Sequence, residues 1–450
     1  MSSKKTWPLF VIIYHLILFS TSHADILDAR EAYEKENYQS AFKQYLELAQ
    51  LGNNQARYNV AVMYLKGQGV DQSFGKAYGW AQLVHYESGN NLINLVAEIE
   101  NKLTDQELKE TQTEVKAIKD QFNDDILLSQ LAPIVFQSKD DKNNTKEFNL
   151  KIIDRPAPRY PMSEYRRGTQ GWVQVGFDVY PDGSARNLYV IESVPEGVFD
   201  EVTFEAVERF KFKVDFAEGI EPYPVSARQT IQYELKVKDD NKLTRLYQEH
   251  LENLEKLAYQ GHPDAQYYYA LAASSKSIIN KFIKLDDVAV NDWLLKAAQN
   301  GNREAQYQLG QNILSGKGCQ VEKQKGIDWI VYAADKGHAK SARKAYQLLT
   351  KNQHLNHTEK PPEFWLKKAA DGGDPESQLD YAHFLAFNKP ETATVTIAKK
   401  YLASYLKERN KSVKYHQVMA QLYLLENKKK QAQKELQKAN KLAKKLGWEI

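Results

Sequence analysis

Cys319 is the only cysteine in 450 residues, so no internal disulfide can staple any part of this fold. Proline is also sparse, 14 residues scattered along the chain, which excludes a long Pro-rich rod that would hold its parts far apart. Charge of one sign is lacking: 61 Lys+Arg against 58 Asp+Glu leaves +3, with no basic excess to mark a nucleic-acid binder. Long apolar runs are missing as well. The one candidate, from Pro8 to Phe19, is short of the roughly 20 residues that span a bilayer. Catalytic and phosphate-binding signatures are absent too: no Walker loop, G-x-S-x-G, H-E-x-x-H or dinucleotide fingerprint occurs. His354 and His357 could share a helix face, but Thr358, Glu359 and paired prolines follow and no H-E-x-x-H occurs, so a metal site is not expected. These absences leave a binding protein that needs no cofactor. A hydrophobic share of 42% is ordinary for a soluble globular chain, and the length calls for more than one domain.

The first residues set the expected compartment. Lys4-Lys5 precede the Pro8–Phe19 run, and Ser22-His23-Ala24 offers small residues at the positions a signal peptidase reads. Cleavage between Ala24 and Asp25 would deliver the rest to the periplasm. The other reading of the same run is an uncleaved inner-membrane anchor.

The most patterned stretch runs from Tyr160 to Val237. Val173, Val175, Phe177 and Val179 alternate with polar or small residues, as a half-buried strand does. Pro181-Asp182-Gly183 supplies a turn, and Leu188 and Val190 lie on a returning strand. Phe199, Val202, Ala206, Val207 and Phe210 fall at helical spacing. Ile231, Tyr233, Leu235 and Val237 alternate again, giving the order strand–strand–helix–strand.

Those residues resemble the C-terminal domain of TonB-family proteins over residues 150–238. The resemblance rests on Tyr160-Pro161, Gly171, Pro181-Asp182-Gly183, the helix start Phe199-Asp200, and Phe210 with Phe212. It implies a periplasmic, non-enzymatic domain that takes a short peptide of an outer-membrane transporter as an added strand. A strand at a sheet edge carries the unpaired N–H and C=O groups such pairing needs. The expected docking edge is the last strand: Arg228, Gln229, Thr230, Ile231, Gln232, Tyr233, Glu234 and Leu235. The same edge could equally be an ordinary sheet margin or a homodimer contact.

The remainder is repetitive. Trp293, Trp329 and Trp365 recur every 36 residues, and Gly301, Gly337 and Gly373 keep the same step. Ahead of the patterned stretch, Ala56, Tyr58, Gly67, Gly69 and Trp80 match Ala305, Tyr307, Gly316, Gly318 and Trp329 at a constant offset of 249. QARYNVAVMYLKGQGV and WLLKAAQNGNREA resemble Sel1-like repeats, relatives of tetratricopeptide repeats. That implies stacked helical hairpins whose concave face recruits a protein. Cys319 occupies the slot of Val70 and reads as a small core residue.

The expected fold class is therefore α+β, a small antiparallel sheet with helices embedded between α-helical repeat blocks. The expected domains are a signal peptide 1–24, helical repeats 25–119, a linker 120–149, the TonB-like domain 150–238, a solenoid 243–427 and a basic amphipathic helix 428–450. On that last helix, Ala432, Leu436, Ala439, Ala443 and Leu446 form the apolar face. The expected function is a periplasmic adaptor in TonB-dependent transport. Its partners would be transporter peptides on the sheet edge and an unidentified protein on the solenoid. The alternative is an envelope scaffold with no link to energy. Two departures from the TonB pattern favour caution over energy transduction: the domain is not C-terminal, and no Pro-rich rod precedes it.

Overall fold

The computed structural model describes residues 25–85, 95–135, 148–216, 225–235, 251–274, 283, 285–351, 355, 358, 360–407, 409–446 and 448. Seven helices come first: α1 (Ile26–Glu34), α2 (Tyr38–Gln50), α3 (Asn54–Lys66), α4 (Phe74–Ala81), α5 (Leu95–Glu100), α6 (Asp105–Phe122) and α7 (Asp124–Leu131). The mixed region follows: β1 (Phe148–Asp154), α8 (Met162–Arg167), β2 (Gly171–Val179), β3 (Ala185–Val194), α9 (Asp200–Val207), β4 (Lys211–Phe216) and β5 (Val225–Tyr233). Helices then resume with α10 (Pro263–Ser274), α11 (Asp287–Gln299), α12 (Arg303–Ser315) and α13 (Lys323–Asp335). The last six are α14 (Ala339–Lys351), α15 (Pro362–Asp371), α16 (Pro375–Asn388), α17 (Thr392–Tyr405), α18 (Val413–Leu425) and α19 (Lys429–Leu446). The fold is mixed α and β with solenoid-like helical blocks.

Two compact units form. In described residues, one comprises 25–135 with 251–336, and the other 148–235 with 337–448.

In the first unit, the repeat chemistry explains the helix ends. Asn53 and Asn302 cap α3 and α12, each side chain accepting from a backbone N–H at 2.7 Å. Gly67 and Gly316 end the same helices in the left-handed region, at φ 66° and 67°. The second glycine of each loop is pressed against a neighbouring helix start. A Cβ on Gly69 would lie 2.2 Å from the Tyr38 carbonyl oxygen, and one on Gly318 would lie 2.5 Å from the Asp287 backbone. The 249-residue offset is thus a packing identity. Trp80, Trp293 and Trp329 are all buried between helices.

The N-terminal helices pack directly on residues 251–336, although 115 residues separate 135 from 251 in the chain. The backbone N–H of Ile26 donates to Asn300 O at 3.2 Å, and Gln299 Nε2 donates to Leu51 O at 3.0 Å. Asn53 also bonds the Asn300 side chain, while Leu51 joins the core built by Leu294, Leu309 and Trp293. Further along, Trp329 Nε1 and Lys325 Nζ each donate at 2.8 Å, to Leu131 O and Ala132 O. The carbonyls left over at the end of α7 are satisfied in this way.

This arrangement changes the expected boundaries. The mixed region is an insertion between two halves of one helical unit, and the run 243–427 is divided between the two units. Residues 124–131, expected within a linker, form α7, because Asn123 caps it and Asp124 and Asp125 sit favourably in its first turn.

In the second unit, β2 is the central strand of a sheet ordered β3-β2-β5, antiparallel throughout. A separate pair, β1 and β4, runs antiparallel beside it. No strand is expected over 211–216 from the reading above, yet Lys211-Phe212-Lys213-Val214-Asp215-Phe216 alternates throughout and forms β4. Gly183 ties the two sheets together: it takes φ 78°, and its carbonyl accepts from Phe212 N at 2.9 Å. α19 buries Ala432, Ala439 and Ala443, but Leu436, expected on the same face, is 44% exposed.

Candidate docking edge

The domain's core explains its sequence markers. Val173, Val175, Phe177 and Val179 of β2 are buried against Phe199, Phe204, Val207, Phe210 and Phe212. Tyr160 of the Tyr160-Pro161 pair packs edge-on against Phe199 at 5.6 Å and Tyr233 at 5.7 Å, and Phe199 stacks on Tyr233 at 4.2 Å. The lead-in segment, the helix start and the end of β5 are thereby fixed to one another. Tyr160 Oη donates to Thr169 O, just before Gly171 opens β2. Burial pushes the Tyr233 hydroxyl up to about 12, and it lies 2.8 Å from Thr203 Oγ1. Asp200 follows the Phe199 cap position and is buried, which raises its carboxyl. Pro181-Asp182-Gly183 makes the β2–β3 turn, with Asp182 accepting from Ser184 N at 2.9 Å.

β5 stands at one margin of the sheet. Ile231 and Tyr233 are buried, while Arg228, Thr230 and Gln232 are exposed, and Gln229 is half-buried. The strand begins three residues earlier than expected, at Val225, and ends at Tyr233. Glu234 follows it, and Leu235 is spent: its N–H donates to Gln170 Oε1 at 3.1 Å. Thr230 O accepts from Gln229 Nε2 at 2.9 Å, which fits a phase in which the backbone groups of Arg228, Thr230 and Gln232 face away from β2. Val237 lies outside the described residues.

The opposite flank is occupied. Along β3, Arg186 stacks over Trp448 at 5.1 Å, and Arg343 stacks over Tyr189 at 4.7 Å. Lys340 then pairs with Glu196 at 3.3 Å. On α9, Arg409 lies 4.9 Å over Phe204, and Asn410 bonds Glu201. Both arginines are held by Glu376, Arg343 at 3.1 Å and Arg409 at 2.9 Å, with Asp374 3.4 Å from Arg343. The sequence reading finds none of these residues, because nothing local signals a contact between Arg343 and a strand 154 residues away.

Other expected sites fall as follows. Trp365 is buried with Gly373 at φ 90° after α15, and Gly301 and Gly337 also take positive φ. Cys319 is buried, and burial pushes its thiol up to about 11, which suits a core residue rather than a nucleophile. Asp25 caps α1, accepting from Leu27 N at 2.7 Å; Ala24 lies outside the described residues, as do His354 and His357. Among the described residues, no group of three His, Cys, Asp or Glu could hold a metal, and no helix is long and apolar enough to cross a membrane.

Residues 156–235 match the Gram-negative bacterial TonB protein C-terminal family. The matched segment starts four residues ahead of Tyr160-Pro161 and stops just past β5. Among solved structures, the chain is similar to a Sel1 repeat protein from Oxalobacter formigenes at 20% identity. That match covers 45% of this chain and 83% of the other, with a TM-score of 0.36. It is similar to the TonB C-terminal domain of Pseudomonas aeruginosa at 25% identity, covering 21% of this chain and 94% of that one, with a TM-score of 0.19. A third is c5321, a protective antigen of uropathogenic Escherichia coli with an SLR fold. It shares 15% identity and covers 93% of this chain and 84% of that one, with a TM-score of 0.30. A TonB-like domain is thus inserted among helical repeats in this chain.

Proposed function

We propose that this chain is a periplasmic adaptor of TonB-type transport, which takes an extended peptide of an outer-membrane transporter as a new strand beside β5. One observation carries the reading: β5 is the sheet margin whose outward backbone groups meet no strand among the described residues, whereas the repeat helices line the β3 flank. Affinity would come from main-chain hydrogen bonds, and specificity from side chains meeting Arg228, Thr230 and Gln232. The repeat blocks would hold further protein partners. An N-terminal leader ending at Ala24 would place all of this in the periplasm.

The test is fluorescence-anisotropy titration with synthetic peptides copied from the periplasmic N-termini of TonB-dependent transporters. Binding is expected to the unmodified chain and lost in Gln232→Pro, since proline removes an outward N–H. Equal affinity in both, with the fold intact by circular dichroism, would contradict docking at β5.

A further inference from the structure

A second sheet margin lies at β1. The strand pairs with β4 on one side only, and among the described residues no strand borders its other side. Its inner face carries Leu150, packed against the domain core beside Val214. Ile152, opposite Phe212, continues that apolar surface outward, but it is 42% exposed and Ile153 is 63% exposed. An apolar face that runs out of a core and stops at an open edge calls for a cover.

The charges on β1 indicate what the cover is. Lys151 lies directly across the ladder from Lys213, an unfavourable like-charge pair, and Lys213 is engaged by Asp215 at 2.9 Å. Lys211, opposite Asp154, turns its Nζ to Leu446 O at 3.4 Å. Neither Lys151 nor Asp154 has an ion partner among the described residues. In a regular strand these two positions would point to opposite faces. The bulge at Ile153 resets the alternation: the β4 partners of Lys151 and Asp154 are Lys213 and Lys211, two apart, so both side chains share one face.

Lys151-Ile152-Ile153-Asp154 is therefore self-complementary when antiparallel. We propose that two copies of this chain pair through β1, with Lys151 opposite Asp154 of the second copy and Ile152 opposite Ile153 of the second copy, each contact occurring twice about a two-fold axis. An edge lysine and a bulge ordinarily guard a strand against indiscriminate pairing. Here a second copy supplies the one partner strand that answers the charge, which makes the guard selective. The pairing uses β1 and leaves β5 open, so it stands apart from the peptide reading.

Sedimentation velocity of the purified chain over a concentration series tests this. A concentration-dependent dimer is expected, with Lys151→Asp and Asp154→Lys each weakening it about tenfold or more. The double variant carrying both reversals is expected to regain most of the loss, and Ile153→Lys to be monomeric. A monomer at every concentration would overturn the proposal. So would single reversals that leave dimerisation unchanged, or a double variant no better than the singles.

Discussion

The two margins of the three-stranded sheet are treated in opposite ways by the rest of the chain. On the β3 side, α14 reaches Tyr189 and Glu196, and Trp448 beyond α19 meets Arg186, while the Arg409 loop meets α9. β5 presents exposed Arg228, Thr230 and Gln232 with a buried Ile231 and Tyr233 anchoring it from within. The sheet alone does not choose between two edges, because both carry the same kind of backbone groups. The repeats distinguish them by touching the β3 side, through Arg343, Lys340 and Trp448. An inserted interaction domain can thus have its usable surface set by the module that surrounds it.

Breaking that asymmetry at its open side should have the largest effect. Gln232→Pro is expected to reduce peptide binding below detection in the titration described above while leaving the melting temperature within a few degrees. On the occupied side, Glu376→Ala removes the carboxylate shared by Arg343 and Arg409. The side chain of Arg343 is only 6% exposed, so leaving it with Asp374 alone should cost about 3 kcal/mol in denaturant unfolding, with peptide affinity little changed. Loss of peptide binding in that variant, with the sheet still folded, would mean that the two flanks are coupled rather than independent.

A pH effect sharpens the same contrast. Glu208, just beyond α9, has its carboxyl pushed up from 4.5 to about 7, chiefly by burial and then by Glu201 and Glu205. A folded-state value above the unfolded one means that the native state binds the proton more tightly, so ionisation costs stability. The penalty is absent below about 4.5 and complete above about 7. Glu208→Gln should therefore stabilise the chain at pH 8 by about 1–2 kcal/mol, a value discounted for partial solvation, and flatten the pH dependence of melting across that window. The smallest effect is expected from Arg228→Ala: stability within about 0.5 kcal/mol and only a severalfold loss of peptide affinity, larger at low salt.

Much of this architecture could be read from the residues. The β2 alternation, the Pro181-Asp182-Gly183 turn, the α9 stripe and the 249-residue offset all depend on local spacing, and each corresponds to an observed element. β4 was legible too, since its six residues alternate, but its first phenylalanine falls against the helix end and invites assignment there. β1 was obscured by the adjacent Ile152-Ile153, where the bulge breaks the period. The repeat ladder of buried glutamines carries a signal in retrospect. Gln266, Gln306 and Gln378 each donate to the carbonyl eight residues earlier, at Ala258, Ala298 and Ala370. Arg57 replaces them in the first block and reaches Leu83 O and Phe122 O instead. What spacing does not contain is which distant surfaces meet. The docking of Leu51 on Gln299 and of Arg343 on Tyr189 depends on shape and charge over long sequence separations.

The central claim is most directly tested by hydrogen–deuterium exchange on the intact chain, with and without a transporter peptide. Slowed exchange at Arg228, Thr230 and Gln232, with Leu188 and Tyr189 of β3 unchanged, is the predicted result. Protection appearing on β3, or a bound peptide that leaves β5 exchanging as before, would contradict the assignment of β5 as the docking edge.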